Sequence, residues 1–325
     1  MPIGLALDGM IPIGEMVELA RRADSDGIAS LWMAEHMGYR DAVASSIAFL
    51  GATRNLTVVP TAISVYSRHP MVAAMAAGTL EEFAPGRTIV SVASGNPRAL
   101  QEMGLAVQHP VGVTREFIEV IRGLLGGEPV VFDGKHYRLT EARLHVVPAR
   151  PVPVFMAVMG PRMLELAGEI ADGVVLSAGL SPLYIAKSLE RVRAGAARAG
   201  RGDARITAAG FVLAAAASDR DVARFEAKRM LAYLSRNTFI AENLELTGTR
   251  FDRAAVADAA VRGDWTTAAR LIPDEAVSTY GVAGTPDDCR QQLEPFLKAG
   301  LDVPILLPVG DARARWLAIE AAKGA

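Results

Sequence analysis

The sequence predicts an α/β fold: a (β/α)8 barrel with insertions after its fourth and seventh strands, formed by residues 1–325 as a single domain. Short apolar runs alternate with helical-period segments from one end of the chain to the other, the pattern of βα units around a parallel sheet. There are eight such runs, the number that closes a barrel. With 51% of its residues hydrophobic, the chain can build a large core.

In order, the strands are predicted over residues 3–7, 30–34, 56–63, 88–93, 152–158, 173–176, 206–216 and 303–307. Amphipathic helices follow at 15–23, 71–83, 162–171, 183–198 and 286–299. The rhythm breaks twice. Residues 94–151 carry a helix at 113–125 and then a stretch, 130–147, whose Asp133-Gly134 pair reads as a hairpin turn. Residues 218–279 read as helices, at 221–234 and within 253–271. Neither segment is apolar enough for a domain of its own, so both are read as insertions.

Charge and composition exclude several classes. Lys and Arg total 34 against 36 Asp and Glu, with no basic block, so nucleic acid is not an expected partner. The longest apolar stretch, 206–217, is shorter than the ~20 residues of a spanning helix. The start of the chain has no signal-peptide pattern, and one cysteine, Cys289, cannot form an internal disulfide. A cytoplasmic protein without a membrane segment is expected.

Dinucleotide, P-loop, zinc-protease, paired-cysteine and serine-elbow motifs are all missing. His36, His69, His109, His136 and His145 have no metal-ligand spacing, and Cys289 falls in an expected surface helix, so metal and thiol chemistry are both disfavoured. A barrel with a polar mouth and no nucleophile of its own points to a borrowed organic cofactor.

The mouth is read from the strand ends. Asp8 follows the first strand, Glu35 and His36 the second, and Ser64 and Val65 the third. Ser94, Gly95 and Asn96 end the fourth, Met159, Gly160 and Pro161 the fifth, and Ser177, Ala178 and Gly179 the sixth. Ser, Gly and Asn at such places are also ordinary turn formers. His36 is more specific, because an imidazole can donate to or accept from a bound ring near neutral pH. His69 instead suits the turn into a helix beginning at Pro70. Gly160, Pro161 and Arg162 open a helix whose first amides suit an anion, although capping alone also explains a Gly-Pro start.

These stretches resemble the luciferase-like flavin and deazaflavin oxidoreductases, and within them the methylenetetrahydromethanopterin reductases that use coenzyme F420. The resemblance rests on SLWMAEH (30–36), ISVYSRHP (63–70), EMGL (102–105), GPRMLELAGEIADGVVLSAG (160–179) and AGTPDDC (283–289). It implies a homodimer and hydride transfer between the deazaflavin and a small organic substrate. By position, it places His36 and Glu35 beside the deazaflavin ring and makes Ser64–Val65 a non-prolyl cis peptide bulge behind it. It sets Gly160, Pro161, Arg162, Ser177, Ala178 and Gly179 on phosphate-binding turns, with Ser94, Gly95 and Asn96 on the ribityl side. The reductases resembled carry an acid where this chain has Ala6, and deazaflavin relatives often carry one at Asn96. Asp8 or Glu35 is the candidate substitute. An FMN-dependent monooxygenase and a non-catalytic flavin-binding protein are the competing readings. The expectation common to all three is that His36, Ser64 and Gly160 border one cavity.

Overall fold

The computed structural model describes residues 2–235 and 239–323. Its strands are β1 (Gly4–Leu7), β2 (Ser30–Ala34), β3 (Thr57–Thr61), β4 (Ile63–Ser64), β5 (Val90–Ala93), β6 (Val130–Asp133), β7 (Arg138–Ala142), β8 (Val154–Ala157), β9 (Gly173–Leu176), β10 (Thr207–Ala216), β11 (Gly281–Gly284) and β12 (Val303–Pro308). The main sheet runs β3-β2-β1-β12-β10-β9-β8-β5-β4, and every pairing in it is parallel. A parallel bridge between Val58 and Thr88 brings the two ends of the sheet together. The result is the predicted barrel, with helices outside it.

Side chains, not a pore, fill the interior. Trp32 and Phe155 meet there at 6.2 Å between ring centres, packed among Ala6, Val59, Val175, Ala209 and Ile305. The Trp32 indole N–H donates to Ser30 Oγ at 2.8 Å, which satisfies its buried polar atom. Two aromatic rings fit because the positions facing them are small: a Cβ at Gly4 would come within 2.6 Å of Trp32 Nε1, and one at Gly173 would run into the Phe155 ring.

Two departures from the predicted strands have clear causes. The apolar run 56–63 reads as one strand, but it changes neighbours partway. Residues up to Thr61 pair with β2, whereas Ile63 and Ser64 pair with Val92 and Ala93 of β5. The second departure is β11, an unpredicted strand of small residues. β10 is ten residues long and outgrows β9, which pairs only with Thr207 to Gly210. β11 takes over that edge along Leu213 to Ala216.

Both insertions are anchored. β6 and β7 form the expected antiparallel hairpin, and Glu116 of the helix Pro110–Leu125 accepts the backbone amides of Lys135, His136 and Tyr137 at its tip. Burial raises the Glu116 carboxyl, but those three amides outweigh it and leave the group below the usual carboxylate range. Helices between Arg220 and Tyr280 share an apolar cluster with the upper half of β10, through Leu213 and Ala215.

The helix expected over 286–299 divides into Pro286–Gln291 and Glu294–Lys298. Pro295 has no amide to continue the first helix's hydrogen bonding. Cys289 is not on the surface, as expected from sequence, but fully buried, with its thiol pushed up to about 12 by burial. The apolar side of this helix packs on the barrel, and the lone cysteine is part of that side. No helix among the described residues is long and apolar enough to cross a membrane.

The helix Pro161–Ile170 crosses the helix Pro182–Arg198 with backbone close to backbone. A Cβ on Gly168 would overlap the carbonyl oxygen of Val192, and one on Gly195 would overlap that of Glu165. Gly168→Ala is expected to lower stability by about 1–3 kcal/mol through overpacking, read as a lower midpoint in urea at unchanged slope.

Candidate active site

A cavity of ≈ 540 Å³ opens where the parallel strands end. Its wall includes the last residues of five strands: Ala34, Thr61, Ala93, Ala157 and Leu176. The fold itself brings these ends together, because the strands all run in one direction around a closed sheet. Phe211 of β10 adds an aromatic surface, packed on the interior cluster below. Ser94, Asn96 and Ser177 supply polar groups. The cavity is thus lined mainly by apolar and small residues and edged with hydrogen-bonding groups, which suits a planar ring with polar substituents.

Of the residues singled out from sequence, Ser94, Gly95, Asn96, Met159, Gly160 and Ser177 line this cavity. Asn96 also caps the helix Pro97–Glu102, its side-chain oxygen accepting the Arg98 and Ala99 amides. Pro161 and Arg162 face an adjoining groove, whose wall shares Gly160 and Met163 with the cavity. The helix that begins at Pro161 has no side-chain cap; Pro161 has no amide and those of Met163 and Leu164 donate to the Gly160 carbonyl, which leaves the Gly160 and Arg162 amides to a ligand.

Four residues are placed elsewhere. Ser64 is buried one layer behind the wall, with its hydroxyl directed to the Ser94 carbonyl. Gly95 stands in front of it at φ +82°, and a Cβ there would come within 2.7 Å of Ser64 Oγ, so that close approach requires glycine. Val65 is buried, and its carbonyl accepts the Tyr137 hydroxyl at 2.9 Å. Ala178 is buried in the cluster of the second insertion, and the Gly179 carbonyl accepts from Asn243 Nδ2 at 2.8 Å.

The non-prolyl cis peptide is Thr61–Ala62, not Ser64–Val65. It lies where the chain leaves β2 and joins β5, and both its residues line the cavity. The expectation that His36, Ser64 and Gly160 border one cavity therefore holds for Gly160 alone. Ser64 stands behind Gly95, and His36 lies two residues beyond the lining Ala34.

His36 is exposed, and its Nδ1 lies 2.9 Å from the Asp8 carbonyl oxygen. A carbonyl can only accept, so Nδ1 carries the proton and Nε2 of the neutral ring is left as an acceptor. The Asp8 carboxylate is occupied locally, accepting the Met10 amide at 2.9 Å. Glu35 donates its amide to the Thr61 carbonyl at 2.8 Å, which ties it to the cis bond. Its carboxylate lies 3.6 Å from Arg68, which also pairs with Asp41. Glu35 Oε2 is buried without a hydrogen-bond partner.

Sequence reading missed four contributing residues. Thr61 and Ala62 were hidden inside one continuous apolar run. Phe211 carried a usable signal, being the one aromatic residue in the longest predicted strand. Asn243 gave none: it is fully buried, accepts from Ser181 N and Oγ, and so pins the turn after β9 from a helix 60-odd positions away in sequence.

The chain matches the family described as luciferase-like monooxygenase over residues 3–302. It is 29% identical over 306 residues to a 5,10-methylenetetrahydromethanopterin reductase of Methanolobus tindarius, covering 93% of this chain and 92% of the relative. An F420-dependent glucose-6-phosphate dehydrogenase of Nakamurella multipartita is 32% identical over 202 residues, 58% of this chain and 59% of that one. Among solved structures, the coenzyme F420 dependent tetrahydromethanopterin reductase of Methanopyrus kandleri superposes with a TM-score of 0.87 at 25% identity, over 98% of this chain and 97% of that one. A barrel whose strand ends converge on one cavity, matched by the family model over nearly its whole length, makes this chain a member of the luciferase-like monooxygenase family.

Proposed function

We propose that the chain is a coenzyme F420-dependent oxidoreductase that moves hydride between the deazaflavin and a small organic substrate, in the manner of the methylenetetrahydromethanopterin reductases. The observation that carries the reading is the cavity at the strand ends, walled by Thr61, Ala62 and other small side chains. A solved structure and a relative named for F420, each similar to this chain over more than nine-tenths of its length, support it.

Bound in this cavity, the deazaflavin would supply a two-electron hydride carrier. The chain's own work is to hold and orient it. Ala34, Ala62, Ala93 and Ala157 leave room for a flat ring, and Phe211 and Val175 present apolar surface that keeps water from the reacting face. Ser94, Asn96 and Ser177 offer hydrogen bonds along the edge, and the turn at Gly160 offers the Gly160 and Arg162 amides to a phosphate. His36 presents Nε2 as a hydrogen-bond or proton acceptor at the rim.

Glu35 is the proposed proton holder. Burial raises its carboxyl above the ordinary range, Arg68 opposes that shift, and Asp41 adds to it. A carboxyl that keeps its proton above the usual pH can give it up during turnover. The proposal also includes a homodimer. The helix Pro70–Phe83 exposes Val72, Met75 and Phe83 along one side, and the neighbouring helix Ala42–Ala52 has no charged residue. Such surface favours burial against a second copy.

Coenzyme F420 is expected to bind tightly and FMN weakly, as measured by equilibrium dialysis of the purified protein. Tight FMN with substrate-dependent oxygen consumption would favour the monooxygenase reading, and bound F420 that no substrate turns over would favour a binding protein. His36→Ala is expected to lower kcat about tenfold to a hundredfold in single-turnover assays with the coenzyme loaded. Glu35→Gln tests the proton. The folded protein holds that proton more tightly than the unfolded chain, so wild-type stability should fall as pH rises from near 4.5 through the raised folded value. The variant should lack this decline in urea midpoints measured across that range. Phe83→Glu with Met75→Glu should convert a dimer to a monomer in sedimentation equilibrium.

A further inference from the structure

Glu35 and Asp41 compete for one guanidinium, and the outcome is unequal. The Glu35 side chain is 8% exposed, its Oε1 lies 3.6 Å from Arg68 Nη2, beyond hydrogen-bond length, and its Oε2 has no hydrogen-bond partner. The same Nη2 donates to Asp41 Oδ2. Arg68 is thus bonded to the carboxylate that water also reaches, since the Asp41 side chain is 47% exposed. The Ala42 amide also faces Glu35, whereas His36, next in the chain, turns its Nδ1 to the Asp8 carbonyl. Two ionised carboxylates on one cation would leave a net negative charge, and its cost falls on the buried partner.

Both ends of this arrangement are anchored. The Arg68 amide donates to the Ser64 carbonyl at 3.3 Å, in the turn between β4 and the helix Pro70–Phe83, which fixes where its side chain starts. Asp41 is the N-cap of the helix Ala42–Ala52, and its Oδ1 accepts the Ala44 amide at 2.8 Å. That bond holds the carboxylate still while Oδ2 takes Arg68. Asp41 is not part of the cavity lining.

We propose that Asp41 is a positioning residue for this site: by holding Arg68 to itself, it keeps the guanidinium from closing on Glu35 and leaves that buried carboxyl able to carry a proton. The inference rests on the proton-holding role read for Glu35 above and adds the residue that sets it. Burial raises the Glu35 carboxyl most, Arg68 lowers it, and direct repulsion from Asp41 raises it again. Asp41 therefore has two routes to Glu35, through Arg68 and through space, and the experiment separates them.

Asp41→Asn is the informative variant, because asparagine keeps an oxygen for the Ala44 amide, and with it the cap, but carries no charge for Arg68. The Glu35 titration is followed in the full-length protein without coenzyme, by the carbon-13 NMR shift of its side-chain carboxyl, assigned through Glu35→Gln. In Asp41→Asn the midpoint should move to lower pH, and in Arg68→Met to higher pH. In the Arg68→Met background, Asp41→Asn should move the midpoint by less than half as much as it does in the wild type, since the route through Arg68 is gone. An unmoved midpoint in Asp41→Asn, or equal movements in the two backgrounds, would overturn the inference. With coenzyme and substrate supplied, the pH profile of kcat in Asp41→Asn should be displaced in the same direction as the titration. A displaced titration beside an undisplaced kcat profile would support the positioning of Arg68 by Asp41 and remove the proton role read for Glu35.

Discussion

Closure of the parallel sheet is the constraint on which the rest depends. A closed barrel must be filled, and here Trp32 and Phe155 fill it with Ala6, Val59, Val175, Ala209 and Ile305. Large rings on β2 and β8 require small residues opposite, and Gly4 and Gly173 supply them. This packing fixes the height of each strand in the barrel, and so fixes where each strand ends. The cavity wall is the list of those ends, which is why residues scattered from 34 to 211 meet in one place.

Precision at the mouth comes from the connections. Gly95 admits Ser64 behind the wall, and Ser64 Oγ bonds back to Ser94. The turn after β9 is held by Asn243, which satisfies Gly179 and Ser181 together. The helix leading from Gly160 is held by backbone contact at Gly168 and Gly195. Ser64, Asn243, Gly168 and Gly195 all lie outside the cavity lining, and each supports a segment that leads to one of its polar edges, as a preorganised site requires.

Much of this was legible in the sequence, because periodicity reports one-sided burial directly. All eight predicted strands exist, the Asp133-Gly134 hairpin forms, and His69 caps the helix at Pro70 through its Nδ1. Errors arose where pairing, not burial, decides structure. Residues 56–63 are apolar throughout, so nothing in their pattern marks the change of neighbour at Thr61–Ala62, and the bulge was placed three residues too late. β11 is missed for the same reason: Gly281–Gly284 is a strand only because β10 extends past β9 and offers it an edge. Turn chemistry explains Ser177, Ala178 and Gly179, of which only the first reaches the cavity. The other two are turned towards an insertion whose docking no local pattern encodes.

The barrel filling also bears on where a proton is held. Ala6 lies beside Trp32 in register and is almost completely buried within the interior cluster. A carboxylate at that position would face an indole and aliphatic side chains, with a large desolvation cost unless it stayed neutral. In this chain Ala6 packs instead among Trp32, Val59, Phe155, Val175, Ala209 and Ile305. Above the filling, Glu35 follows directly on β2, the strand that carries Trp32, and donates its amide to the Thr61 carbonyl. Arg68 lies 3.6 Å from its carboxylate and favours the charged form, whereas the like charge of Asp41, paired with the same Arg68, opposes it. The filling around Ala6 leaves no carboxyl on the first strand, so the proposed proton role falls to Glu35 after the second.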